Sequence, residues 1–252
     1  MADDYGLPHH ILLSRLQSRQ NLILQRIAQL ESNLYPTTHR SEPASDQLDV
    51  DNPGALGLKR SQTRNVEESL SRFLHERGVT SFKFARVPSN YYSRTYAERR
   101  DILGAASIHH LCKSIVMVNS QVHESVKDCT DRNNSKYYVI VIQYVARLHA
   151  EKVKKFIYSL NRGKFPKTKF NMRLAPESDS CNLTGYEHNA VTPLNMRTNI
   201  PVILSEKILK LEPNFLWLGG GEVDLKLGMR VQDFMDLVNP FIVDCTYPDN
   251  DQ

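Results

Sequence analysis

The stretch KYYVIVIQYV, residues 136–145, constrains the fold more than any other. A strand with one face in water alternates apolar and polar residues. This one is apolar almost throughout, so it belongs at the centre of a sheet covered on both faces. Its neighbours mix strand and helix signals. Strand patterns occur at TSFKFARV (80–87), LCKSIVMVNS (111–120), PVILS (201–205), NFLWLGGG (214–221), VDLKL (223–227) and FIVDC (241–245). Helix patterns occur from Thr95, where Glu98 three residues on completes a capping signature, over His149–Asn161 up to Gly163, and at VQDFMDLV (231–238). A further helix opens at Asn65 with Glu68, carries Val66, Leu70, Phe73 and Leu74 as its apolar stripe, and stops at Gly78. EKILKL (206–211) reads as a short helix, and the stretch between Gly163 and Pro201 as irregular. The order is not a strict βαβ alternation. It predicts an α/β fold in the broad sense, a central mixed sheet flanked by helices.

The 252 residues divide into three expected segments. Residues 9–35 carry Leu13, Leu16, Ile23, Ile27, Leu30 and Leu34 at three-four spacing, between Pro8 and Pro36. That pattern suits an amphipathic helix on the domain surface and equally a short coiled coil through which the protein self-associates. Residues 36–64 are rich in Pro, Ser, Asp and Thr without periodicity, which predicts a disordered linker. The globular domain is expected over residues 65–247.

The net charge of +4 permits an anionic partner without demanding one. Cys112, Cys129, Cys181 and Cys245 form no C-x-x-C pair and have no histidine at metal-ligand spacing, so reduced thiols and no metal or other cofactor are expected. The opening MADDYGLPHH has no apolar core region, and no run of 18 apolar residues occurs. The expectation is a cytoplasmic protein without a membrane span.

Three segments have chemical potential. Lys113 stands at the mouth of the apolar run Ile115–Val118; strand grammar alone makes it a solvated strand end, and a placed charge is the sharper alternative. The loop LTGYEHNAVTPL, Leu183 to Leu194, is bracketed by Gly185 and Pro193 and suits either a cleft wall lined by amides or a plain connector. His188 within it is a candidate acid/base, although a lone loop histidine is more often solvated. Gly219, Gly220 and Gly221 follow an apolar strand and allow close backbone approach, to a ligand or within a tight turn to the next strand. No G-K-[ST] follows them, so they are no phosphate loop. The basic and aromatic run from Lys152 to Phe170 suits an RNA backbone or a solvated face. G-x-S-x-G and H-E-x-x-H do not occur.

Taken in order, ILGAASIHHLCKSIVMVN, TGYEHNAVTPL and LWLGGGEVDLKL resemble the YbaK/prolyl-tRNA-synthetase-associated domain family, the aminoacyl-tRNA editing domains. The likeness covers residues 65 to 247 and neither the N-terminal helix nor the linker. It implies the editing-domain fold with a cleft on one side of the sheet. It also implies hydrolysis of the ester joining a wrong amino acid to the 3′ end of tRNA, with tRNA-Pro the first candidate. No synthetase motif is present, so a free-standing form acting on mischarged tRNA fits, with an aminoacyl-tRNA synthetase as a further partner. The resemblance places Lys113 at the family's functional lysine. Asn189, Ala190, Val191, Thr192 and Pro193, with Gly219, Gly220 and Gly221, would shape the amino-acid pocket and donate amides to the oxyanion. Two departures stand out. Asn189 occupies a position where the family often has glycine, which bears on pocket width, accepted amino acid and activity itself. Residues 120–135 look like an enlarged hairpin loop. A non-catalytic relative that binds tRNA or a synthetase is the alternative.

Overall fold

The computed structural model describes residues 66–248. The expected helix at 9–35, the linker at 36–64 and the cap at Asn65 lie outside the described residues. In chain order the elements are α1 (66–76), β1 (Phe82–Arg86), α2 (Tyr96–Leu103), β2 (Cys112–Asn119) and β3 (Tyr137–Gln143). Then come α3 (Ala150–Leu160), β4 (Met172–Leu174), α4 (Glu177–Thr184), β5 (Val202–Ser205), β6 (Phe215–Gly219), β7 (Leu225–Arg230), α5 (Val231–Val238) and β8 (Phe241–Val243). The segment EKILKL forms a 3-10 turn, Glu206–Lys210.

The central sheet is mixed and ordered β4-β2-β3-β5-β8. β2 pairs antiparallel with β3 and β4, whereas β3, β5 and β8 run parallel. All residues of β3 are buried, and the two faces explain why. Tyr138, Ile140 and Ile142 join Val153 and Ile157 of α3 in one apolar cluster. Tyr137, Val139 and Val141 join Leu70 and Leu74 of α1 and Val231 and Phe234 of α5 in another. Helices on both faces leave no position where a polar residue would meet water. β1, β7 and β6 make a second, antiparallel sheet beside the first. A parallel bridge from Leu111 to Trp217 joins the two where β2 begins. That bridge sets the end of β2, and with it Lys113, beside the end of β6.

Local signals work as written. At α2, the Glu98 amide donates to Thr95 Oγ1 at 3.3 Å and the Thr95 amide donates to Glu98 Oε2 at 2.8 Å, a reciprocal cap. Gly104, at φ 58°, ends the helix in the left-handed conformation. Thr95→Ala should lower unfolding free energy by about 1 kcal/mol, read from a urea midpoint shift at unchanged slope. β4 and α4 occupy the stretch that the sequence reads as irregular. β4 has three residues, and α4, ESDSCNLT, has no apolar stripe and is rich in residues that favour caps over helix interiors.

Candidate functional site

The Leu111–Trp217 junction opens into a cavity of about 390 Å³. β2 forms its floor through Lys113, Ser114 and Val116. One wall is the end of β4 and the start of α4, with Leu174, Ala175 and Glu177. The opposite wall is the loop after α4, with His188, Asn189 and Val191; Gly219, Tyr92 and Tyr144 complete the enclosure. β2 and β4 are locked at this place by Ala175 N–H donating to Val116 O at 2.9 Å.

Lys113 is half-buried, and its Nζ lies 5.6 Å from the Tyr144 ring centroid. Among the described residues it has no carboxylate partner. Burial alone lowers its pKa below the usual lysine value. Next to it, the Ser114 hydroxyl oxygen is buried without a hydrogen-bond partner. His188 sits exposed at the mouth, its Nδ1 4.0 Å from Glu177 Oε2.

The wall loop is held from three sides. Gly185, at φ 81°, ends α4 and turns the chain. The Tyr186 hydroxyl donates back across the loop, 2.8 Å from Leu194 O and 3.2 Å from Asn195 O. The Tyr92 hydroxyl donates to Asn189 O at 2.8 Å, and the Gly221 amide donates to Ala190 O at 3.1 Å. Asn189 itself has φ +64°, a conformation that asparagine adopts more readily than other non-glycine residues. The backbone at this departure from the family pattern is therefore one that glycine would also take.

The glycines serve close approach, but within the protein itself, Gly219 to the wall loop and Gly220 to β7. A Cβ on Gly219 would lie 2.8 Å from Val191 O, and one on Gly220 2.8 Å from Leu225 Cγ. Of the sequence-selected residues, Lys113, Asn189, Val191 and Gly219 line the cavity. Ala190 and Thr192 are buried behind it. Pro193 lines a different hollow with Arg77 and Arg132, and Gly221 a third. The amides of Gly220, Gly221 and Ala190 are already given to Leu225 O, Ala190 O and Glu187 O. Those of Val191 and Thr192 have no acceptor among the described residues, and of the two Val191 lines the cavity. The Thr192 hydroxyl is also buried without a partner.

Behind Tyr92 stands a group the sequence reading did not select. Lys226 of β7 is 4% exposed. Its Nζ donates to Tyr92 Oη and to Val223 O, both at 2.8 Å, and lies 4.7 Å from the Tyr92 ring centroid. Burial drives its pKa down to about 8, against a smaller upward effect of Asp224. Arg99 of α2, also buried, donates to Tyr92 O and to Arg94 O. Its guanidinium lies 5.2 to 5.6 Å from the ring centroids of Tyr91, Tyr92, Tyr96 and Tyr144. A directed relay results: Lys226 ammonium to Tyr92 hydroxyl to Asn189 carbonyl. The unselected tyrosines at 91, 92 and 96, with Tyr144 at the end of the apolar run, were the available signal.

The relay has a stability signature. With the folded pKa of Lys226 depressed, the unfolded chain holds the extra proton between pH 8 and the ordinary lysine value. Stability therefore rises with pH across that window. The wild-type unfolding free energy, relative to Lys226→Met, should climb from pH 8 to pH 10 in chemical denaturation. A flat difference would mean that the lysine is solvated.

Among the described residues, no group of three or more His, Cys, Asp or Glu is placed to hold a metal ion. No described helix is long and apolar enough to cross a membrane.

Residues 94–237, which include the floor, both walls and the relay lysine, match the model of the aminoacyl-tRNA editing domain. The chain belongs to that family. Solved structures agree on the fold. A candidate trans-editing enzyme for prolyl-tRNA synthetase superposes with TM-score 0.56 at 19% identity, over 73% of this chain and 98% of that one. A hypothetical protein gives TM-score 0.53 at 20% identity, covering 71% and 99%. A scaffold protein from computational epitope grafting gives TM-score 0.56 at 17% identity, covering 73% and 97%. No curated protein matches the sequence.

Proposed function

We propose that this editing domain is a trans-acting aminoacyl-tRNA deacylase, with mischarged tRNA-Pro the first substrate to test. The carrying observation is that Lys113 and Gly219, more than a hundred residues apart, line one cavity inside the family-matched region. The candidate trans-editing enzyme for prolyl-tRNA synthetase among the structural neighbours directs attention to proline and to a synthetase as partner. Four cysteines without a disulfide fit a cytoplasmic setting.

The reaction needs no side-chain nucleophile. Water attacks the ester carbonyl carbon, and the carbonyl oxygen becomes an oxyanion. The carbon–oxygen bond to the ribose then breaks, and the water's proton ends on the departing ribose oxygen. Amino acid and tRNA with a free hydroxyl result. The open amide of Val191, on the cavity lining, is the donor for the oxyanion, set in place by the wall loop before the reaction. The Lys113 ammonium orients the terminal phosphate or the substrate carbonyl. The cavity walls then sieve by amino-acid size, the discrimination a synthetase pocket achieves poorly for one methylene.

Asn189 supports a second reading, a non-catalytic relative that binds tRNA or a synthetase, because its side chain stands at the cavity wall where the family often has glycine. A panel of mischarged tRNAs separates the two. Release of amino acid from at least one supports the deacylase. Salt-sensitive tRNA binding without turnover on the whole panel supports the binder.

A further inference from the structure

Between Lys152 and Pro176 the chain carries eight Lys or Arg and no Asp or Glu. Lys152, Lys154 and Lys164 have carboxylate partners at 2.6, 3.4 and 3.8 Å. Lys155, Arg162, Lys167, Lys169 and Arg173 are exposed and have no hydrogen bond or ion pair from their side chains among the described residues.

The backbone that carries these cations is held in place by its neighbours. Phe165, Phe170 and Met172 are buried in the same apolar cluster as Val153 and Ile157 of α3. Two buried asparagines fix the backbone between them. Asn161 donates to Phe165 O at 2.7 Å and accepts from its amide at 3.0 Å. Asn119 donates to Lys169 O at 2.8 Å and accepts from Asn171 N–H at 2.8 Å. The apolar residues and the asparagines tether the segment, and the cations between them are displayed on a fixed backbone. Little backbone ordering entropy remains to be lost when a ligand binds.

The segment also has a direction. It enters β4, and the residues immediately after Arg173, Leu174 and Ala175, line the cavity. From Lys167 to Leu174 the chain reaches at most ~23 Å, enough to meet several successive phosphates.

We propose that this ridge, Lys155, Arg162, Lys167, Lys169 and Arg173, is the docking track for the phosphate backbone of an RNA whose 3′ end enters the cavity. The orientation rests on the deacylase reading; the RNA binding does not. An acidic protein surface would satisfy the charge but not the continuity of a charged strand with a cavity that admits its end.

The test is fluorescence anisotropy with the full chain and an uncharged RNA hairpin ending in single-stranded CCA, titrated across a range of KCl concentrations. Lys167→Ala, Lys169→Ala and Arg173→Ala combined should weaken binding tenfold or more at low salt. The slope of log K against log salt should become shallower by about 2–3, one step for each phosphate no longer neutralised. Lys210→Ala, at an exposed lysine that belongs to neither the ridge nor the cavity lining, should keep the wild-type slope. Should the triple variant melt early, Lys167→Gln with Lys169→Gln repeats the measurement at smaller structural change. Wild-type affinity and slope in the charge-removed variants would overturn the track. So would polyglutamate displacing the RNA as well as unlabelled RNA does, which would point to an acidic protein. Salt-sensitive binding that depends on the ridge, with no turnover of any mischarged tRNA, would keep the track and sink the deacylase.

Discussion

Replacing Lys113 by alanine should cut release of amino acid from the responsive mischarged tRNA by roughly 100-fold or more, with no loss of melting temperature. The second half of that expectation gives the first its meaning. Lys113 is half-buried on the cavity floor, has no carboxylate partner among the described residues, and has its pKa lowered by burial. Such a charge costs the fold some stability at neutral pH, because the unfolded chain binds its proton more tightly. Alanine removes that cost and leaves no orphaned partner. A structural lysine would behave in the opposite way, since its loss would abandon a buried carboxylate. The pH profile adds an independent check. If the ammonium is the active form, the Lys113-dependent part of the rate should fall as pH rises through the depressed pKa, below the ordinary lysine range. Equal rates for wild type and Lys113→Ala on every tRNA would remove the lysine from the mechanism.

Some of this molecule was legible from local pattern because local pattern determined it. β3 is buried at every position and apolar up to Gln143 because α3 covers one face and α1 and α5 the other. Thr95 and Glu98 form their cap within four residues. The short β4 could not announce itself, since a three-residue edge strand with Arg173 and Leu174 both exposed carries no alternation. The site was less legible for a related reason. Lys226 in the strand pattern VDLKL reads as an outward residue, and what buries it is Tyr92, 134 positions away. Arg99 in AERRDIL reads as a solvated helix charge, yet four tyrosine rings surround it. Both are buried by tertiary contacts between segments that no local window contains. The glycines show the intermediate case. Close approach was readable from composition; that the approaching partner would be the Ala190–Val191 backbone was not.

Gly221 is crowded by other neighbours, which makes Gly221→Val the most damaging single change expected at the site. A Cβ at this position would lie 2.6 Å from Val66 Cγ1 and 2.9 Å from Tyr186 Cε1, and the residue's φ of +91° is one a β-branched side chain resists. Strain and overpacking together should cost roughly 3 kcal/mol or more, measured by urea unfolding. The damage reaches the cavity, because Tyr186 closes the wall loop through Leu194 O and Asn195 O, and the Gly221 amide holds Ala190 O. Gly219→Ala isolates the second effect. Its φ is not in the left-handed region, and the added Cβ would meet Val191 O at 2.8 Å, so the wall loop must move while the helices stay packed. That variant should lose turnover out of proportion to stability, whereas Gly221→Val loses both. Full stability and full turnover in Gly221→Val would mean that the wall loop takes its shape without the glycine turn, and the cavity would then need another explanation for its form.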